Sequence, residues 1–390
     1  MTATKMIDAT QQQNRLHTLS LPATRASAAA VNGKNALPLA DNRSQPGNGN
    51  DVVQCLLKSG TLVERVRNAG GNENNLFIVN IRAALNKYHA AKKPWLFGKQ
   101  DYADKIMEAL DTMEHEAYDY LATNKAAPGG AGTEKRVIHS LLDEIQAAHT
   151  EAVEYVHANN LTLYTPDRKA MNQQQRDTFD GQWNALRNGT GTVRIDSVAR
   201  GFGPGINNED LPDFAKNNRA IFARILSRPT GRRLMRDLLD NSDGRNLQTD
   251  IRPYHPGLVA LGQTGAEANP ANNNALALVK PNGDFRRKGT GAGSLIGMQN
   301  GLADSAQTSR DAAGDTIPSP AFMLVAHELI HALHNKTGNN RRDVKPQNYV
   351  QGGVHHGWTS REEHGTIELG PGITENALRS EHNLGKRQGH

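Results

Sequence analysis

The sequence predicts an α+β protein, and three patterns carry that expectation. From Asp51 to about Asn160 apolar residues recur at steps of three and four, as in Tyr102, Ile106, Leu110, Met113, Ala117 and Leu121, which is the period of amphipathic helices. Short apolar pieces at Leu258–Leu261, Ala275–Val279 and Ser294–Met298 are bounded by Gly, Asn and Pro, as strands are. A longer apolar segment, Ala321–Leu333, reads as a helix buried against them. The expected order is a disordered leader over residues 1–50, a helical domain over 51–164, a linker over 165–212, and a domain over 213–390 in which one buried helix packs on a small mixed sheet.

Residues 1–50 are rich in Ala, Ser, Thr, Asn and Gln and poor in aromatic or clustered aliphatic side chains. Such a stretch cannot offset the entropy of ordering, so it is expected to be disordered. Its polar, Ser/Thr-rich character also resembles the export signal of bacterial type III secretion substrates. With 390 residues, 37% hydrophobic, and a mean hydropathy of -0.64, the chain is long enough for more than one domain yet not apolar enough to pack throughout. The single cysteine, Cys55, excludes an internal disulfide framework and reads as core filling among Val52, Val53, Leu56 and Leu57. No membrane span is expected, because no apolar run reaches about 18 residues. Nor is a Sec-type signal. The net charge of +5 over 42.4 kDa is too modest to imply nucleic acid binding.

Within the helical region Asp101 is the expected N-cap of the helix through Leu121. Further helices are expected over Leu76–Ala91, stopped by Pro94, and over Arg136–His157, after the break Gly129–Gly132. His89, His115, His139, His149 and His157 bracket no glutamate at ligand spacing, so they read as solvated or core-edge side chains. The following stretch reads as loop. Gly201, Gly203 and Gly205, like Gly289, Gly291 and Gly293, lack the Lys-Ser/Thr of a nucleotide loop and read as turns. Phe214–Leu239 reads as one or two helices whose basic side, with Arg219, Arg224, Arg228, Arg232, Arg233 and Arg236, is expected to face solvent.

The chemistry concentrates in the apolar helix. Ser319 is the expected cap and Pro320 the first helical residue. His327 and His331 are four residues apart, so both imidazoles leave one face and can bind the same ion, with Glu328 one step round the helix. Burying these three groups without partners would cost several kcal/mol, and a shared metal removes that cost. H-E-x-x-H in this setting points to zinc, with Glu328 as general base for water attack on a peptide bond. His334 lies nearly on the same face but one turn further, which suits a group behind the ligands. The longer motif with a third histidine is absent, since His334 and Thr337 occupy its places. A third ligand must come later, from Glu362, Glu363, Glu368, Glu375, Glu381, His355, His356 or His364. Ser360-Arg361-Glu362-Glu363 also fits a capping box, which would tie Glu363 to backbone instead.

Five ordered motifs carry a family resemblance: Pro229-Thr230-Gly231-Arg232-Arg233-Leu234, Gly289-Thr290-Gly291, Ala326 through Asn335, Glu362-Glu363-His364-Gly365-Thr366-Ile367, and Ile373 through Arg379. Together they make about Asp213–His390 similar to the NleD-like zinc metallopeptidases, type III secreted effectors of bacteria. The core H-E-L-I-H-A also resembles the clostridial neurotoxin light chains, whose third zinc ligand is the second member of a glutamate pair about 30 residues on. That pair here is Glu362-Glu363, 31 and 32 residues beyond His331. The resemblance implies a zincin-like zinc endopeptidase domain with His327, His331 and Glu363 as ligands, Glu375 in reserve, and Glu328 as catalytic base. It further implies a secreted effector that cleaves a host protein in the host cell cytoplasm. Members of the family tend to finish with Leu-Pro, an Arg and a terminal Tyr, whereas this chain has Leu384-Gly385-Lys386-Arg387 and ends at His390. Arg379, Tyr349 or His364 could serve the oxyanion, though each reads first as structural. The competing expectation is an interaction protein in which zinc only holds the domain together.

Overall fold

The computed structural model describes residues 59–68, 75–91, 98–123, 131–201, 207–256, 259, 265–279, 285–341, 349–351, 354–356, 361–369 and 372–388. The expected leader, Cys55, Pro94, Gly129, Gly203, Gly205, Ser360 and the side chains of Tyr349, His355 and His356 lie outside them. Four helices come first: α1 (Ser59–Asn68), α2 (Leu76–Ala91), α3 (Lys99–Thr123) and α4 (Ala131–Ala158). On α3, Tyr102, Ile106, Leu110, Met113, Ala117 and Leu121 are all buried, as their spacing predicts. Asp101 does not cap that helix. It lies inside the first turn, where its charge suits the helix dipole. Helix α4 likewise begins earlier than expected, at Ala131 within the Gly-rich run.

The stretch expected to be loop holds α5 (Gln173–Asn188), closed by a reciprocal capping box of Asn172 and Gln175 and by Gly189 in the left-handed region at φ 61°. Strands β1 (Val193–Ile195), β2 (Val198–Ala199) and β3 (Glu209–Asp210) follow, then α6 (Pro212–Leu226) and α7 (Pro229–Leu239). The remaining strands are β4 (Thr249–Pro253), β5 (Ala266–Pro270), β6 (Leu278–Val279), β7 (Phe285–Arg287), β8 (Ser294–Met298), β9 (Thr308–Arg310), β10 (Thr316–Pro318), β11 (Tyr349–Gln351) and β12 (Val354–His356). Interspersed are α8 (Ala321–Thr337), α9 (Arg361–His364), which runs into a π-helical turn at Gly365–Leu369, and α10 (Glu375–Glu381). Of the expected strand Leu258–Leu261 only Val259 is described, and it is helical. The expected strand Ala275–Val279 shortens to β6, because Ala275 closes a 3-10 turn.

One mixed sheet underlies the site. Its order is β1-β4-β8-β5, with β1, β4 and β8 parallel and β5 antiparallel on the edge. Alternation along β4 and β8 sends Thr249, Ile251, Pro253, Ser294, Ile296 and Met298 inward. Helix α8 packs against β5 and β8 on one side and against α6 and α7 on another. It is buried on nearly every face, with Phe322, Val325, Leu329 and Ile330 each 0% exposed. Gly338 closes it in the left-handed region at φ 69°, and its own missing side chain permits the close approach of the Gly289 backbone.

The start of α8 departs from expectation. Pro320 holds the cap position and Ser319 makes no capping bond. The first free backbone N–H, of Ala321, is donated to Asp304 Oδ1 at 3.0 Å. Asp304 Oδ2 lies 2.7 Å from Arg224 Nη2, which also bonds Glu114 of α3 at 2.6 Å, and the guanidinium stacks 4.0 Å over Phe322. The basic side of α6 and α7 is therefore largely not a solvated face. Arg219 pairs with Glu154 at 2.6 Å, Arg228 with Asp111 at 2.7 Å, and Arg232 with Asp167, while Arg233 and Arg236 are exposed. Carboxylates from α3 and α4, far away in sequence, meet Arg219, Arg224 and Arg228.

Two outcomes follow from this buried charge. Burial alone would raise Glu114, yet Arg224 and His149 hold its carboxyl well below the usual range. Arg224→Ala would leave two buried carboxylates without their cation, so the denaturant midpoint should show a loss of about 3–5 kcal/mol. His382 packs its ring 4.7 Å from Phe322, and burial, with Arg228, Arg224 and His115 nearby, lowers its pKa to about 3 despite Glu114. An unfolded histidine takes up its proton below about 6.5, so stability is present above that pH and falls as pH drops toward 3. His382→Leu should reduce that fall by about 1.4 kcal/mol per pH unit, read from urea midpoints at about pH 7 and 5.

Candidate metal centre

Helix α8 carries His327 and His331 on one face, and their Nε2 atoms lie 3.0 Å apart. Behind each ring stands a carboxylate. His327 Nδ1 is 2.8 Å from Glu375 Oε2 on α10, and His331 Nδ1 is 2.9 Å from Glu362 Oε1 on α9, with Thr366 Oγ1 at 3.2 Å. A carboxylate is only an acceptor, so both rings carry their proton on Nδ1 and turn the Nε2 lone pair forward. Glu363 closes the group, with Oε2 3.2 Å from His327 Nε2 and Oε1 3.2 Å from His331 Nε2.

Three acceptors converging in this way repel one another unless a cation or protons lie between them. Zn–N distances of about 2.0–2.1 Å imply tetrahedral ligand separations of about 3.3 Å, close to those found here. The donor set of two imidazoles and one carboxylate fits zinc on these grounds. The electrostatics agree: burial by itself would lower His327, but its bonds to Glu363 and Glu375 lift it to about 9. Burial also works against the charge of Glu363, yet the two histidines hold its carboxyl well below the usual range. The pocket thus calls for positive charge.

The supporting groups are themselves fixed. Glu375 is fully buried and bonded by Arg379 Nη1 at 3.0 Å and by Arg387 Nη1 at 3.0 Å. Arg379 is 0% exposed and also donates to the carbonyls of Gly385 and Pro318, which ties α10 to the strand leading into α8. Glu362 accepts from His334 Nδ1 at 2.6 Å and from the Arg341 N–H at 2.8 Å. The other glutamates are occupied elsewhere. Glu381 accepts from the backbone and hydroxyl of Thr230 at the start of α7, and Glu368 stands 3.8 Å from His364.

Glu328 points to the sheet edge. Its Oε2 accepts the Ala268 N–H at 2.7 Å, and burial, the largest influence, raises its pKa. The roles of Ala268, Arg387 and Asp304 lay beyond sequence reasoning, since nothing in their local pattern marks them. Arg379, an oxyanion candidate in the sequence, is instead paired with Glu375, and their spacing of four on one helix is the local signal that goes with this pair.

Removing Glu363 as a donor should show directly in metal content. Glu363→Ala, dialysed and analysed for zinc, should retain well under the equimolar amount expected of the parent chain. Glu375→Ala leaves three donors but frees the His327 ring, and competition with a chelator should show zinc affinity about 10–100-fold weaker.

No curated protein and no solved structure matches the chain. Residues 204–390 match the family model Peptidase_M91, described as an effector protein, and this match takes in α8, both supporting helices and every side chain of the centre. Over residues 204–390, its C-terminal part, the chain thus matches the effector peptidase family to which the five motifs pointed, that of the NleD-like metallopeptidases.

Proposed function

We propose that the chain is a zinc-dependent endopeptidase with a zincin-like catalytic part at residues 213–390, in which His327, His331 and Glu363 hold the ion and Glu328 is the general base. The observation that carries this reading is that, among the described residues, three and not four protein donors converge beside a buried carboxylate that binds none of them. A structural zinc site would be closed by a fourth donor and would have no use for Glu328.

Zinc held there supplies Lewis-acid chemistry, polarising a peptide carbonyl and making water more acidic. The chain's own residues do the rest. Glu328 is oriented through Oε2 by the Ala268 N–H, which leaves Oε1 to accept the proton of the attacking water and return it to the leaving amine. A carboxyl raised by burial is a better proton acceptor near neutral pH than an exposed one. Strand β5 is the outer strand of its sheet, and the Ala268 N–H on its outer edge faces the centre, which supports binding of an extended peptide along that edge. Helices α4 and α5 pack against α6, which in turn packs against α8.

As an effector peptidase, the chain would be secreted by a bacterium, by the type III route, and cleave a host protein in the host cell. The test uses zinc-loaded parent and Glu328→Ala incubated with host-cell lysate, with new protein termini catalogued. Both proteins should hold equal zinc, and termini should appear with the parent at a rate at least about 10²–10⁴-fold above the variant. Equal zinc with no cleavage by either would leave the structural-site reading standing.

A further inference from the structure

We infer that the β6–β7 hairpin is a substrate-recognition element, and that the peptide it selects carries acidic residues on the N-terminal side of the cleaved bond. This rests on the peptidase reading above and deepens it.

The hairpin ends in Arg286, Arg287 and Lys288, three consecutive exposed cations. Among the described residues no carboxylate lies within ion-pair distance of any of them. That sets them apart from Arg219, Arg224, Arg228, Arg232 and Arg245, each of which is paired with a carboxylate of this chain. A run of unpaired positive charge repels itself and gains nothing for the fold.

Its position relates it to the centre. Immediately after Lys288, the Gly289 N–H donates to Gly338 O at 2.7 Å, which anchors the strand's end at the C-terminus of α8. Lys288 and His334 line one cleft of about 400 Å³ together with Glu362, the carboxylate that supports His331. The carboxylates in that cleft are engaged: Asp243 with Arg245, Asp237 with Arg236, and Asp240 with Ser242. Lys288 is thus left to face an outside anion.

Strand direction selects the side. The Ala268 N–H, bonded to Glu328, marks the level of the reaction on β5, and Pro270 is the end of β5 that leads toward β6. A peptide added antiparallel, the more stable pairing, runs its N-terminal half past Pro270 toward the hairpin.

The test compares the full chain with an Arg286→Gln/Arg287→Gln/Lys288→Gln variant, whose zinc content and melting temperature should match the parent because the three side chains are exposed. In the Glu328→Gln background, anisotropy follows a fluorescein-labelled hexaglutamate peptide, a hexalysine control, a short RNA and phosphatidylserine vesicles. Hexaglutamate should bind in preference to the other three, with the triple variant about tenfold weaker at low salt and the difference shrinking at about 0.5 M salt. In parallel, lysate termini from active parent should show Asp or Glu enriched within about six residues before the cut, a bias the variant loses. Cleavage without that bias, or equal hexaglutamate binding by both proteins, would overturn the inference alone. Stronger hairpin-dependent binding to RNA or vesicles would replace the peptide with another anion. No cleavage by the parent would overturn the peptidase reading and this inference with it.

Discussion

Two imidazoles on one helix can aim at one point only if something behind each ring holds it there. In this chain that constraint is met by two buried carboxylates, Glu375 behind His327 and Glu362 behind His331, at 2.8 and 2.9 Å. Each bond decides a tautomer as well as an orientation, because a carboxylate behind Nδ1 leaves Nε2 as the only free lone pair. The placement of α9 and α10, the burial of Arg379 and the bond from Arg387 to Glu375 all serve these two contacts. Without them the motif on α8 would be two histidines with free rings.

Charge inside this protein is handled by sharing. Arg379 and Arg387 both serve Glu375, while Arg224 serves both Glu114 and Asp304. Asp304 in turn satisfies the first free N–H of α8, so the ion pair that binds α3 to α6 also sets where α8 begins. A buried pair of this kind contributes modestly to net stability, since desolvation offsets much of its attraction. Its larger effect is geometric, because Glu114, Arg224 and Asp304 meet where α3, α6 and the start of α8 pack together.

The same economy extends to the reaction. Glu328 is neither a ligand nor free, being turned toward the edge strand by a backbone N–H. In the proposed function, a peptide lying along that edge would place its carbonyl between the base and the three donors, so recognition and chemistry would share one strand. Positive charge left over on the neighbouring hairpin would then have, under the further inference, a use that the fold itself does not supply.

Much of the centre was legible in the residues. The spacing of His327, Glu328 and His331 dictates a shared helix face, and the apolar neighbours dictate its burial, because helical geometry is local and needs no tertiary information. The steps of three and four along α3 likewise specified its buried side before any partner was known. Several things could not be read. Glu363 and Glu375 were both open as donors from spacing alone, and only the approach of α9 and α10 separates a carboxylate in front of the histidines from one behind them. The cap of α8 came from Asp304 rather than Ser319, and Arg219, Arg224 and Arg228 met acids from α3 and α4 rather than water. A sequence declares what a side chain can do within a turn or two of its own position. Which distant charge it meets is decided by packing, since contacts between residues that lie far apart along the chain exist only once the chain has closed on itself.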